Sequence, residues 1–126
     1  MNQIFEKIEK LFSRELKLVV KREQENENKI HLYKVGQYWA AFDQSAYLLE
    51  QLMGEEDEPA VLQLKEYPFP LVMHNIHSVQ VEELCDSHHT TKRGVDYLQL
   101  KTAPINDKAY HRWYKNYLIE NSIMAE

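Results

Sequence analysis

The sequence predicts an α/β domain in which a mixed β-sheet of about five strands is flanked by helices. Three observations carry that expectation. Stretches with apolar residues at three- and four-residue spacing alternate with short runs rich in Val, Ile, Leu and Tyr. The three glycines and four prolines fall between these stretches, not inside them. A length of 126 residues with 44% hydrophobic and 28% charged content suits one domain with its own core. Residues 1–126 are accordingly read as a single domain.

The elements follow in order. Residues 3–22 read as helix, with Phe5, Ile8, Leu11, Phe12, Leu16, Val19 and Val20 forming its apolar side. Leu18-Val19-Val20 also fits a short strand. The polar stretch Glu23–Asn28 reads as a loop, and Ile30–Val35 as a strand. Gly36 permits a backbone bend, after which Gln37–Phe42 runs extended with both sides apolar. Asp43 is a candidate N-cap for a helix from Gln44 to about Met53, with Ala46, Leu49, Leu52 and Met53 on its apolar side and Gly54 as its stop. Glu55–Pro59 is an acidic connection.

Val61–Glu66 reads as a strand, ended by the Pro68-Phe69-Pro70 turn. Leu71–Met73 is a short strand. Ser78 is expected to cap a helix with Val81, Leu84, Cys85 and His88 on its core side, Lys92 and Arg93 in its last turn, and Gly94 at its end. Val95–Lys101 is a further strand. After Pro104, Asn106 or Asp107 caps a last helix to about Ile119. Its stripe of Tyr110, Trp113, Tyr114, Tyr117 and Leu118 faces the core, opposite a basic side of Lys108, His111, Arg112 and Lys115 that reads as solvated.

Composition restricts function. The net charge is −5 and the pI about 5.7, so binding to nucleic acid by general phosphate neutralisation is disfavoured and any such contact must be local. The single cysteine, Cys85, excludes an internal disulfide framework. With no signal peptide at the N-terminus and no membrane-length apolar run, a cytoplasmic location is expected. Asp86, Ser87 and His88 are consecutive on an expected helix and make no triad there; Glu82 and Glu83 meet the same objection, so no enzyme is expected. His74, His77, Cys85 and His88 have a spacing that superficially suits zinc, but a core cysteine with histidines near it accounts for them, and neither metal nor cofactor is expected.

The segment His31–Phe42, with its Gly36-Gln37-Tyr38-Trp39 centre and the capped helix after it, resembles the N-terminal mismatch-recognition domain of the MutS family. That family has a strand, then Gly-Asp-Phe-Tyr-Glu-x-Phe, then an acidic N-cap and a helix. In this pattern Gly36 is the glycine, Tyr38 falls on the intercalating phenylalanine, Trp39 on the second aromatic and Phe42 on the closing phenylalanine. Pro70 and His77-Ser78-Val79 fit in spacing the family's Pro-Met-x-Gly-x-Pro-x-His turn, with Met73 and Asn75 replacing its glycine and second proline. The likeness covers roughly residues 15–101, leaving an extra N-terminal helical segment and a C-terminal helix. Two positions depart from it: the aspartate is Gln37, and the glutamate that hydrogen-bonds the mismatched base is Ala40.

The resemblance implies a MutS-like fold and a non-catalytic, free-standing domain that senses mispaired or distorted DNA or an RNA–DNA hybrid, as in DNA repair. It also allows an accessory role beside another DNA-handling enzyme such as a reverse transcriptase. Tyr38 would be the wedge, with Trp39 beside it on the Gly36 turn, and Lys34, Lys92 and Arg93 would touch phosphate. The competing reading for Tyr38 and Trp39 is burial, since aromatic residues in strands commonly fill cores. A protein-interaction module that keeps the fold without touching bases is the alternative function.

Overall fold

In a computed structural model of the chain, the first helical stretch is one continuous helix, α1 (Gln3–Gln24). It is followed by β1 (Lys29–Val35), β2 (Tyr38–Phe42), α2 (Gln44–Met53), β3 (Ala60–Leu62), β4 (Leu71–His77), α3 (Ser78–Ser87), β5 (Thr90–Arg93), β6 (Tyr97–Lys101) and α4 (Asp107–Ala125). The structure describes residues 3–54, 59–64 and 67–125, with side chains from 6 to 119 within those spans. The acidic stretch Glu55–Glu58, the expected strand end at Lys65 and Glu66, and the side chain of Phe5 lie outside the described residues.

The α/β class is the one expected. The strands form one six-stranded sheet in the order β3-β4-β2-β1-β6-β5. Every pairing in it is antiparallel, where the sequence reading had a mixed sheet. The sixth strand is β5, which the sequence placed in the last turn of the preceding helix. That helix stops at Ser87, and the Thr90–Arg93 segment gains a partner in β6 through a short connection. The two edge strands, β3 and β5, are three and four residues long, and β5 carries Lys92 and Arg93, both features that blunt edge-to-edge association.

Alternation along the central strands splits the core in two. On one face α1 lays Ile8, Leu11, Phe12 and Val19 against Tyr33, Val35, Ala40, Phe42, Leu71 and Met73. On the other, Ile30, Leu32, Ala41, Leu98 and Leu100 meet Ala46, Leu48 and Leu49 of α2 and Val81 and Leu84 of α3, with Trp113 of α4 packed alongside. Leu18-Val19-Val20 stays helical because Val19 is fully buried in the first of these layers. Burying a side chain of this size is worth about 1.5–3 kcal/mol, enough to override a local strand preference.

α4 docks through its aromatic stripe. Trp113 donates its indole N–H to Glu50 at 2.8 Å, and the Tyr114 hydroxyl donates to the Pro70 carbonyl at 2.5 Å. Its cap is Asn106, whose side chain accepts from the Ala109 N–H at 3.1 Å.

Two other caps differ from expectation. Asp43 precedes α2 but makes no capping bond. Its backbone has φ +46°, and its carboxylate accepts instead from the Val72 N–H on β4 at 2.9 Å. The free N–H of Ser45 in the first turn of α2 is satisfied by Glu23, at the far end of α1. Glu23 Oε1 accepts from Ser45 N–H at 2.8 Å and Oε2 accepts from the Ser45 hydroxyl at 2.6 Å. Likewise His77, not Ser78, caps α3: its Nδ1 accepts from Val79 N–H at 3.3 Å, and Gln80 Oε1 accepts from His77 N–H at 3.1 Å.

Candidate nucleic-acid interface

The β1–β2 connection is a two-residue hairpin in which Val35 pairs with Tyr38 across Gly36 and Gln37. Gly36 has φ +68°, as the first central position of a type II′ turn requires. The turn is held from one side and approached from the other. Ser78 donates both its N–H (3.1 Å) and its hydroxyl (2.9 Å) to the Gln37 carbonyl, so the start of α3 holds the loop. From α1, Lys7 lies over Gly36, its Nζ 3.2 Å from where a Cβ there would sit. A residue that seemed a helix cap in the sequence thus fixes the hairpin, which explains why the cap fell to His77.

Tyr38 leads out of this turn and is 37% exposed, whereas Ala40, Ala41 and Phe42 farther along the same strand are fully buried. Its ring meets the His77 ring edge-on, with centroids 5.5 Å apart and planes at 86°. His77 is its cross-strand partner on β4, and Asn75 is the partner of Ala40. By pairing, Tyr38, Ala40, Asn75 and His77 share one face of the sheet. The Asn75 Oδ1 atom is buried and has no hydrogen-bond partner among the described residues. Ala40 offers no polar group at the position where the MutS-like pattern carries a glutamate.

Trp39 points the other way. It is half-buried and packs against the α2–α3 core layer, so of the two adjacent aromatics it is the structural one. Lys34, its cross-strand partner, is exposed. Lys34, Gly36, Tyr38 and Trp39 therefore come together on one hairpin. Lys92 and Arg93 do not join them: they lie on edge strand β5, separated from β2 by β1 and β6, and Arg93 is held by Glu82 of α3 at 2.9 Å. Their expected place in the last turn of α3 is corrected with β5, because the helix ends before them.

The same end of the sheet carries two exposed aliphatic side chains. Val79, in the first turn of α3, is 62% exposed, and Val95 in the β5–β6 turn is 83% exposed. The Lys34 N–H bonds the Asp96 carbonyl at 2.9 Å, which brings that turn beside the hairpin. Lys7 was missed by sequence reasoning, and Asn75, which that reasoning placed in a turn, lies on β4 opposite Ala40. Lys7 comes from the helix on the far side of a loop, and no local pattern links it to Gly36.

The other expected features are placed as follows. Among the described residues no three of His, Cys, Asp and Glu gather as a metal site. His74 is buried, His77 caps α3, and Cys85 packs on the core layer. The Ser87 hydroxyl and His88 Nδ1 are 2.9 Å apart, closer than helix geometry suggests, because His88 is already extended at φ −130°. Lys108, His111, Arg112 and Lys115 lie exposed on α4. No helix among the described residues is long and apolar enough to cross a membrane. Among family models, curated proteins and solved structures, none matches this chain.

Proposed function

We propose that the chain binds distorted or mispaired nucleic acid, with the Tyr38 ring stacking into a weakened base step. It acts without catalysis, as an accessory to another DNA-handling enzyme. The observation that carries this reading is the contrast within β2: Tyr38 is exposed on a clamped glycine turn while the rest of the strand is buried. An aromatic ring held rigidly enters a base stack without losing conformational freedom, and each stacked base is worth ~1–3 kcal/mol. Opening a step costs a few kcal/mol and least where pairing is already broken, so a wedge favours damaged or mismatched sites.

The order strand, glycine turn, strand, helix also supports a MutS-like fold for the domain. Lys7 and Lys34 supply local positive charge in a chain of net charge −5. Ala40 gives no base-edge contact, so the preference is for distortion itself and not for the identity of the mispaired base. Band-shift titration with a mismatched duplex, its matched counterpart and an RNA–DNA hybrid tests the reading. Tighter binding to the mismatched duplex, lost in Tyr38→Ala, is expected; equal and Tyr38-independent binding, or none, overturns it.

A second reading has its own observation. The exposed Val79 and Val95 at the same end of the sheet as Tyr38 suit a protein-docking surface that does not touch bases. Co-purification of a stable partner, lost in Val79→Asp, together with no duplex binding would favour it.

A further inference from the structure

At the opposite end of β1 from the hairpin, an open cleft of about 290 Å³ lies where the end of α1 crosses β1 and β6. Arg22, Lys29, His31 and Gln99 line it. His31 is only 5% exposed. Its Nδ1 is 2.6 Å from the Tyr97 hydroxyl, which also receives Gln99 Nε2–H at 2.9 Å, while the Thr91 hydroxyl donates to Gln99 Oε1 at 2.6 Å. Each donor in this chain is used once if Tyr97 O–H donates to Nδ1. The imidazole then carries its proton on Nε2, and that N–H has no protein partner among the described residues.

Beside it, Arg22 is half-buried. Its guanidinium carbon sits 3.9 Å from the centroid of the Tyr97 ring, and its Nη1 donates to the Tyr33 hydroxyl at 3.3 Å. The one ion pair among the described residues is Arg93–Glu82, so this guanidinium has no carboxylate. A partly desolvated cation held by two phenol rings, next to an unused N–H donor, calls for an anion.

We propose that this cleft binds an oxyanion of the phosphate type, held by the Arg22 guanidinium and the His31 Nε2–H, with Lys29 at its edge. Guanidinium matches phosphate in geometry as well as charge. Neutral imidazole suits the donor role. Burial, then the charges of Arg22 and Lys29, push the His31 pKa down to about 4. The two cations are thus the charges that act on the ring, while Glu25 and Glu27 of the same cleft are exposed. The site stands apart from Tyr38 and does not rest on the nucleic-acid reading.

The test is a titration of the folded chain with inorganic phosphate at neutral pH and constant ionic strength, following the ring ¹⁵N and ¹H signals of His31. The expected result is an Nε2–H tautomer and a saturable shift with phosphate that chloride does not reproduce. Arg22→Met keeps the hydrocarbon stem over Tyr97 and should weaken binding roughly tenfold or more, while Lys108→Met on α4 should leave it unchanged. A nucleoside monophosphate arm separates the sources: a tighter midpoint than inorganic phosphate points to a nucleotide, an equal or weaker one to the free ion. An Nε2 without a proton, no saturable shift, an equal response to chloride, or unchanged binding in a folded Arg22→Met overturns the proposal. If Arg22→Met does not fold, the phosphate-against-chloride comparison on the natural chain decides it alone.

Discussion

The junction around Ser45 and the hairpin around Gly36 are both places where α1 meets the β1–β2–α2 unit, yet they use their polar and aromatic groups in opposite ways. On the Ser45 side of the junction the polar groups are spent internally. Glu23 takes the Ser45 N–H and hydroxyl, Ser45 Oγ accepts from the His31 N–H at 2.9 Å, and Asn26 bonds the Lys29 carbonyl at 2.6 Å. At the hairpin the backbone is fixed just as firmly, but the side chains it presents are left open: Tyr38, Lys34, Val79 and Val95 face solvent. A rigid frame with satisfied groups is a structural joint, and a rigid frame with unspent groups is a place for a ligand.

The sharpest way to break this contrast is to remove Glu23. Glu23→Ala strips the partner from a buried helix N–H and hydroxyl, and should cost about 3 kcal/mol of stability, read as a lowered urea midpoint. A loss below about 1 kcal/mol would show that the junction is not a joint at all. Its pH dependence sharpens the point. Burial pushes Glu23 up to about 8 from 4.5, against the pull of its Ser45 bonds, and burial likewise raises Asp43 to about 7 from 3.8. The folded state therefore holds protons that the unfolded chain releases, so stability should fall as pH rises from about 4 to about 8 and then level off. Glu23→Gln should flatten the upper part of that slope in denaturation curves measured across the range.

At the hairpin the adjacent aromatics should separate by readout. Trp39→Ala opens space against the α2–α3 layer and should cost about 2 kcal/mol. Tyr38→Ala should cost less than about 1 kcal/mol of stability while weakening mismatched-duplex binding about tenfold. Equal stability losses in the two variants would mean that both rings are structural. Gly36→Ala meets a positive φ and the Lys7 side chain, and should lose about 1 kcal/mol in the same urea assay. The smallest effect belongs to Lys34→Met: stability unchanged, with the salt slope of duplex binding reduced by about one phosphate contact.

How much was legible in the sequence follows the same division. Gln44–Met53 was readable because Asp43 and Gly54 bracket it locally. Yet Asp43 turned out to bond Val72, and the group serving the start of α2 was Glu23, distant in sequence and placed only by packing. The Thr90–Arg93 strand was misread as helix because basic residues before a glycine look like a helix end, while the signal that overrides them is pairing with β6. β4 extends to His77, well past Leu71–Met73, because its polar second half pairs with Tyr38–Ala41 of β2, a long-range partner that no alternation pattern announces. At the candidate site, Gly36 and Tyr38 were visible as a local motif. Lys7, Asn75 and the separation of Lys92 and Arg93 from the hairpin depend on strand order, which is a property of the assembled sheet.

The central position of β1 has a consequence for how the chain assembles. Its partners are β2, two residues away, and β6, which begins at Tyr97. During synthesis β1 must wait for about sixty further residues before its second edge is covered. Until then Ile30, Leu32 and their free backbone groups form a sticky template, and pairings of such long sequence separation are slow to close. Chains truncated before Tyr97 should therefore recruit chaperones or aggregate, and released chains that carry both β6 and α4 should not.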